Sequence, residues 1–316
     1  MITKRLLAHR DRCSGEPRWP GRGVAVNVTR VLVELAVGDA YGAGFEYVDQ
    51  SAVRAGNDLS RYVAHPRHRI AAGSYTDDTQ MSLAIAEAIV DDLAWTPEVL
   101  AAKFVQVFKR DPREGYTRWF YDFLVRVDGG DQFLAEINPG SDKSGAAMRA
   151  APIGVLAEIP QVLTHARIQA AVTHNTPDGI NAASAAALMT HYFLYGLGCR
   201  DDVGRFLQEY IPGQWASPWQ GKVGAKGWMS VRAAITAIRH SDSLSELLRR
   251  CVDFTGDVDT VAAIALAAGS CSDELSHDLP DHLLTGLEAG PYGRGYLSAL
   301  DQRVLSLVTS TPATPH

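Results

Sequence analysis

The sequence predicts an all-α fold, and three observations carry that reading. Apolar residues recur at helical spacing along nearly the whole body of the chain. Period-two alternation with hairpin turn signals is missing, so no strand pair is expected. Two alanine-rich runs, over 182–187 and 262–268, suit close helix–helix contact.

The elements follow in order. Val24, Val28, Val31, Leu32 and Leu35 fall at i, i+4, i+7, i+8 and i+11 and predict the first helix. Met81, Ala84, Ile85, Ala88 and Ile89 repeat the pattern. Leu100, Phe104, Val107 and Phe108 do so behind Thr96 and Pro97, a capping residue followed by proline at the first helical position. The same spacing predicts helices over about 116–127, 146–158, 161–173, 178–195, 201–210, 229–239, 243–252, 259–270 and 296–308. No internal repeat is visible.

Of 316 residues, 46% are hydrophobic and 21% charged, with 30 Lys and Arg against 36 Asp and Glu, a net charge of −6. These proportions exclude disordered, collagen-like and supercharged classes. The acidic balance argues against a protein that grips nucleic-acid backbone over its whole surface. No apolar run approaches a membrane span and no secretion signal is evident, so a cytoplasmic protein is expected. Cys13, Cys199, Cys251 and Cys271 lie far apart without a CxxC pair, and read as free thiols. Residues 1–30 hold seven Lys or Arg and two acids, so a flexible basic arm is expected over 1–27. One helical domain follows over 28–308, and a Pro- and Thr-rich frayed tail closes the chain over 309–316.

Two acidic runs stand at predicted helix starts: Ser74, Tyr75, Thr76, Asp77, Asp78 and Thr79, and then Thr255, Gly256, Asp257, Val258, Asp259 and Thr260. One Asp at a helix start is a cap, held by free N–H groups and the helix dipole. Two neighbouring carboxylates repel, and both runs lead into apolar helices that should be buried. Four carboxylates cannot be buried bare. If the two helix starts meet, Asp77, Asp78, Asp257 and Asp259 would be neutralised by two divalent cations, with the hydroxyls of Thr76 and Thr260 as added oxygens. An all-oxygen site suits Mg²⁺ or Mn²⁺ better than zinc and points to metal-assisted hydrolysis, of a bond the spacing leaves open.

Further motifs carry a resemblance: Gly38-Asp39-Ala40-Tyr41-Gly42 with Glu46; Tyr75-Thr76-Asp77-Asp78-Thr79-Gln80-Met81; Asp111-Pro112 with Gly115-Tyr116; Gly145-Ala146-Ala147-Met148-Arg149; Thr173-His174; and Gly256-Asp257-Val258-Asp259-Thr260. In this order, over about 28–306, the chain resembles the ADP-ribosylglycohydrolases, the group of dinitrogenase-reductase-activating glycohydrolase and the ADP-ribosyl-acceptor hydrolases. The resemblance implies an all-α globule of orthogonal helices around a binuclear magnesium centre. It implies Thr76, Asp77, Asp78, Asp257, Asp259 and Thr260 as metal ligands, with Asp77, Asp78 and Asp259 central to catalysis. It places Glu46 beside the scissile bond, for acid–base or gating work, which suits a carboxylate near an anomeric carbon.

The segment 138–145 sets small residues ahead of a predicted helix, an arrangement whose backbone N–H groups can hold a diphosphate. The resemblance assigns substrate contacts here to Gly140, Ser141, Ser144 and Gly145, with Gly115, Met148 and His174 elsewhere on the ligand. Tyr116, Trp119, Phe120 and Tyr121 offer either an adenine-stacking face or plain core. Ser144, Leu266 and Leu283 depart from the residues common in the family, and no departure removes a metal ligand. The resemblance implies ADP-ribose on a protein, arginine first, as substrate. Serine-, nucleic-acid- or small-molecule-linked ADP-ribose would use the same parts, and so would an immunity protein that neutralises an ADP-ribosylating toxin by contact as well as hydrolysis.

Overall fold

The computed structural model describes residues 30–310, so the basic arm, the 309–316 tail beyond Ser310, Cys13, Val24 and Val28 lie outside the described residues. Every named element among them is helical, and the few β-type pairings are isolated bridges. The helices are α1 (Val31–Ala43), α2 (Gln50–Gly56), α3 (Asp77–Val90), α4 (Pro97–Arg110), α5 (Arg118–Arg126), α6 (Gly130–Glu136), α7 (Ile159–Ala171), α8 (Pro177–Leu194), α9 (Val203–Tyr210), α10 (Gly227–Arg239), α11 (Leu244–Asp253), α12 (Val258–Gly269), α13 (Asp281–Gly286) and α14 (Arg294–Ser310). None is long and apolar enough to cross a membrane.

Local chemistry fixes several helix starts. Thr96, Thr176 and Ser243 each accept an N–H from the first turn of α4, α8 and α11 through the side-chain oxygen, and proline follows Thr96 and Thr176 directly. The α1 start is capped from a distance: Asp301 on α14 accepts from the N–H groups of Leu32 and Val33 at 2.8 and 2.9 Å. Glu87 on α3 is buried and meets Lys103 at 2.7 Å together with Arg110, both on α4.

The helix expected over 146–158 is not a continuous α-helix. The chain makes two 3₁₀ turns, Ser144–Ala146 and Ala151–Val155, because Pro152 has no N–H to donate. The backbone of Gly154 also lies against α8, where an added Cβ would sit 2.7 Å from the Ala187 carbonyl oxygen. The short helices α2, α6 and α13 were not expected from the sequence.

Every residue of α1 and of α12 is buried, and these two helices form the centre of the molecule. Their crossing is unusually close because Gly38 and Gly42, one turn apart, carry no Cβ. An added Cβ would lie 2.5 Å from the Ala262 carbonyl oxygen at Gly38 and 2.5 Å from the Asp259 Cα at Gly42. The crossing sets the start of α12, with its aspartates, beside the C-terminal end of α1. Cys251 and Cys271 are buried free thiols as expected, and the Cys199 thiol donates to Asp202 Oδ2 at 3.3 Å.

Candidate active site

The two acidic runs converge on one cavity of ≈ 390 Å³, a size suited to a small-molecule ligand. Its wall includes Glu46, Asp77, Asp78, Gly115, Ser141, Ser144, Gly145, Met148, His174, Asp257, Asp259 and Thr260. Asp77 and Asp78 stand in the first turn of α3. Asp257 occupies the N-cap position of α12 without a side-chain capping bond, and Asp259 stands in its first turn. Carboxylate oxygens of Glu46, Asp257 and Asp259 lie within 4.8 Å of one another, and Thr260 lines the same cavity.

Asp39, inside the apolar α1, organises this pole. It is fully buried, and it accepts the Thr76 hydroxyl at 2.8 Å through Oδ1. Its Oδ2 accepts the Thr76 N–H at 2.9 Å, the Thr79 N–H at 3.0 Å and the Thr79 hydroxyl at 2.6 Å. Four bonds from one carboxylate thus lock the first turn of α3 onto α1. Thr76 is no part of the cavity wall. Its Oγ1 donates to Asp39 and accepts the Asp78 N–H, and one lone pair remains for a ligand. The second run is shaped by Gly256, whose φ of +94° and contact with the Val223 carbonyl exclude a side chain.

Among the described residues no Lys or Arg pairs with Asp77, Asp78, Asp257 or Asp259. Burial, followed by the charge of Asp39, raises Asp77 and Asp78 well above the usual carboxylate range. Burial and then Glu46 raise Asp259, and burial pushes Asp257 up to about 6. Asp78 Oδ1 and Asp259 Oδ1 are buried without any hydrogen-bond partner. Unpartnered buried acceptors are costly, and hard cations take oxygen ligands of this kind. The residues present therefore fit a divalent metal.

The opposite wall is built differently. The 138–145 loop is pinned by Asn175 N–H to Pro139 O at 2.6 Å, by Thr176 Oγ1 to Ser141 O at 3.0 Å and by Gly227 N–H to Asp142 O at 3.2 Å. Several expected donors are already engaged. Gly140 donates its N–H to Asn138 Oδ1 at 3.1 Å and is not among the residues that line the cavity. Ser144 donates its N–H to Ala225 O at 3.0 Å and lines the cavity together with Asp257. Ser141 and Gly145 remain on the wall.

His174 ends a buried chain. Arg149 donates to Gln169 Oε1 at 2.7 Å and to the Thr173 hydroxyl oxygen at 2.8 Å. The Thr173 hydroxyl lies 2.7 Å from His174 Nδ1, and the other ring nitrogen, Nε2, lies next to Gly145. Burial holds His174 down to about 3, leaving it neutral.

The aromatic group divides. Tyr116 lines the cavity but is buried and donates its hydroxyl to Gln80 Oε1 at 2.7 Å, whereas Tyr121 packs on Phe108 away from the cavity. Trp119 and Phe120 line the cavity. Trp119 is 57% exposed and stacks on Phe123 with ring centroids 5.4 Å apart. Sequence reasoning quoted Asp39 and Arg149 within motifs and Lys143 within a loop without giving them roles, and did not name Tyr47. An acid in an otherwise apolar helix was the available signal for Asp39.

The family profile described as ADP-ribosylglycohydrolase matches residues 25–313. The chain belongs to the ADP-ribosylglycohydrolase family. It is accordingly an enzyme that hydrolyses the glycosidic bond of ADP-ribose to an acceptor. It is similar to ADP-ribosyl-[dinitrogen reductase] glycohydrolase of Rhodospirillum rubrum, 26% identical over 85% of this chain and 88% of that protein. ADP-ribosylarginine hydrolase Tri1 of Pseudomonas putida is 23% identical over 74% of this chain and 67% of that one. ADP-ribosylhydrolase ARH3 of Bos taurus is 31% identical, over 56% and 53% of the two chains. The fold matches a solved ADP-ribosylglycohydrolase-related protein complex with a TM-score of 0.68 at 22% identity, over 88% of this chain and 96% of that one.

Proposed function

We propose that the chain is a Mg²⁺-dependent hydrolase that removes ADP-ribose from modified arginine in a protein. The observation that carries the reading is the pair of buried, unpartnered oxygens, Asp78 Oδ1 and Asp259 Oδ1, contributed by two distant acidic runs to one cavity wall. Asp77, Asp78, Asp257 and Asp259, with the hydroxyls of Thr76 and Thr260, would hold two Mg²⁺ ions, or Mn²⁺ in their place. Bound there, the ions supply positive charge for the ribose hydroxyls and for a water.

The chain's own residues do the remainder. The amides of Ser141 and Gly145 and the imidazole of His174 hold the diphosphate side of the ligand, with Met148 and Gly115 shaping the walls. Trp119 and Phe120 offer a face for the adenine. Glu46 holds or moves a proton where the bond between the anomeric carbon and the acceptor nitrogen breaks, as water oxygen joins the carbon and a proton goes to the leaving nitrogen. Arginine as acceptor is supported by the relatives that match most of this chain, one of them named for ADP-ribosylarginine.

The test is release of ADP-ribose, followed by mass spectrometry, from arginine- and serine-modified peptides with Mg²⁺ and with EDTA. Release from the arginine peptide that EDTA abolishes is the expected result. Release from the serine peptide alone overturns the acceptor, and full activity in EDTA overturns the metal. Calorimetry of ADP-ribose with and without Mg²⁺ reads the same site without turnover.

A further inference from the structure

Glu46 is held in place by a histidine that lies 19 positions further along the chain. His65 is buried in the irregular stretch between α2 and α3, and its Nε2 sits 2.7 Å from Glu46 Oε2. Its other ring nitrogen is fully used. His65 Nδ1 accepts the backbone N–H of Arg67 and that of His68, each at 3.0 Å, in a turn closed by the His65 N–H to the Ile70 carbonyl at 3.1 Å. A nitrogen that accepts two N–H groups bears no proton, so the ring proton is on Nε2 and is donated to Glu46.

The same pattern argues against a cation in this place. Glu46, His65 and His68 bring three ligand atoms within 4.8 Å of one another, the outline of a metal site. A ligating histidine donates its second N–H outward to an acceptor. Here the second nitrogen receives instead, and a metal at Nε2 would require an imidazolate.

We propose that His65 is a positioning residue for Glu46, a role that rests on the reading of Glu46 as the group at the scissile bond. His65 and Arg67, the latter at 3.4 Å, both contact Oε2. That leaves Oε1 as the oxygen offered to the substrate. The donor also holds Glu46 against Asp257 and Asp259, whose carboxylates share its space. The backbone reinforces the arrangement: Tyr47, next to Glu46, has a φ of +52° and donates its N–H to the Gly256 carbonyl at 2.8 Å. Glu46 is thereby tied on one side to the turn of the second acidic run and on the other to His65.

The experiment uses the full chain. His65→Ala should lower kcat about 10- to 100-fold, the worth of a hydrogen bond to a charged group, with KM changed far less. His65→Gln keeps an N–H donor and should recover most of the loss. In a Glu46→Ala background, adding His65→Ala should cost nothing more. The ¹⁵N spectrum of the wild-type ring, assigned by its loss in His65→Gln, should show a protonated Nε2 and a bare Nδ1. A protonated Nδ1, a His65→Gln variant as impaired as His65→Ala, or an undiminished effect of His65→Ala without Glu46 would each overturn the proposal. If the wild-type chain released no ADP-ribose, the functional reading would fail, while the spectrum would still judge the positioning geometry.

Discussion

The two walls of the cavity solve opposite problems. On the acidic wall Asp78 and Asp259 keep buried oxygens without partners, and burial raises all four aspartates. On the facing wall polar groups are bonded into a chain, from Gln169 through Arg149 and Thr173 to His174, that ends at an imidazole on the cavity wall. The first wall is incomplete without a cation, while the second is complete and shaped before a ligand arrives. Stability of the first should therefore depend on metal and fall as Asp257 loses its proton, whereas that of the second should not respond to metal and should fall as pH drops below the ordinary histidine range, because His174 stays neutral in the folded chain.

Asp259→Ala breaks the acidic wall, and the largest effect is expected there. Turnover should fall by at least about a thousandfold, since Lewis-acid charge is lost from the reaction. Stability should move the other way. In EDTA the variant should melt no lower than the wild type, because one repelling charge is gone, and only the wild type should gain markedly from Mg²⁺. The pH dependence has a definite sign. Asp257 takes up its proton near pH 6 in the folded protein, against about 3.9 for an unfolded Asp, so the folded state binds more protons between those values. Metal-free stability should fall as pH rises from about 4 to about 6, and Mg²⁺ should flatten that slope. A melting temperature that rises over that interval in EDTA would contradict the arrangement.

Gly42→Ala tests the scaffold beneath the same wall. The new methyl would meet the Asp259 Cα at 2.5 Å, where both contacting groups are helix backbone. The two central helices must separate, at a cost of about 1–3 kcal/mol. Because that shift carries Asp259 with it, Mg²⁺ should stabilise the variant less than it stabilises the wild type, a difference that thermal melts at several Mg²⁺ concentrations would show.

Much of this was legible because chemistry and periodicity conflicted in plain view. The aspartates of both runs stand where apolar helices begin, so a shared cation site was expected if the two helix starts met, and both runs line one cavity. Long helices with caps, such as α4 and α8, fall within a residue or two of their expected limits. The helices α2, α6 and α13 span seven residues or fewer, too short for a 3.6-residue repeat to show. The 146–158 stretch has helical apolar spacing, yet Pro152 and the close approach of Gly154 to α8 override it. Gly140 illustrates a third reason. Small loop residues announce a turn, but which amides stay free depends on partners such as Asn138 and Ala225 that only the fold supplies. His65 left no trace in periodicity, since its worth lies in a contact made across an irregular loop.

On the second wall effects should be smaller and confined to binding. His174→Ala removes the imidazole at the end of the Arg149 chain, and ADP-ribose affinity should weaken roughly tenfold by calorimetry. The Mg²⁺-dependent gain in melting temperature should be unchanged. A loss of that gain would mean that the two walls are energetically coupled.

Trp119→Ala should have the mildest consequence. The ring lies at the cavity edge, more than half exposed, and its stacking on Phe123 continues an aromatic row that Phe120 shares. Removing it takes away a face for the ligand without opening the core, so stability should change little. Aromatic pairing of this kind is worth about 0.5–1.5 kcal/mol, which corresponds to roughly a two- to tenfold rise in KM with kcat preserved. If Trp119 only covered Phe123, its loss would lower the melting temperature and leave KM alone. The ratio of the two changes therefore separates a ligand platform from a hydrophobic lid on α5, which the exposure of the ring by itself does not.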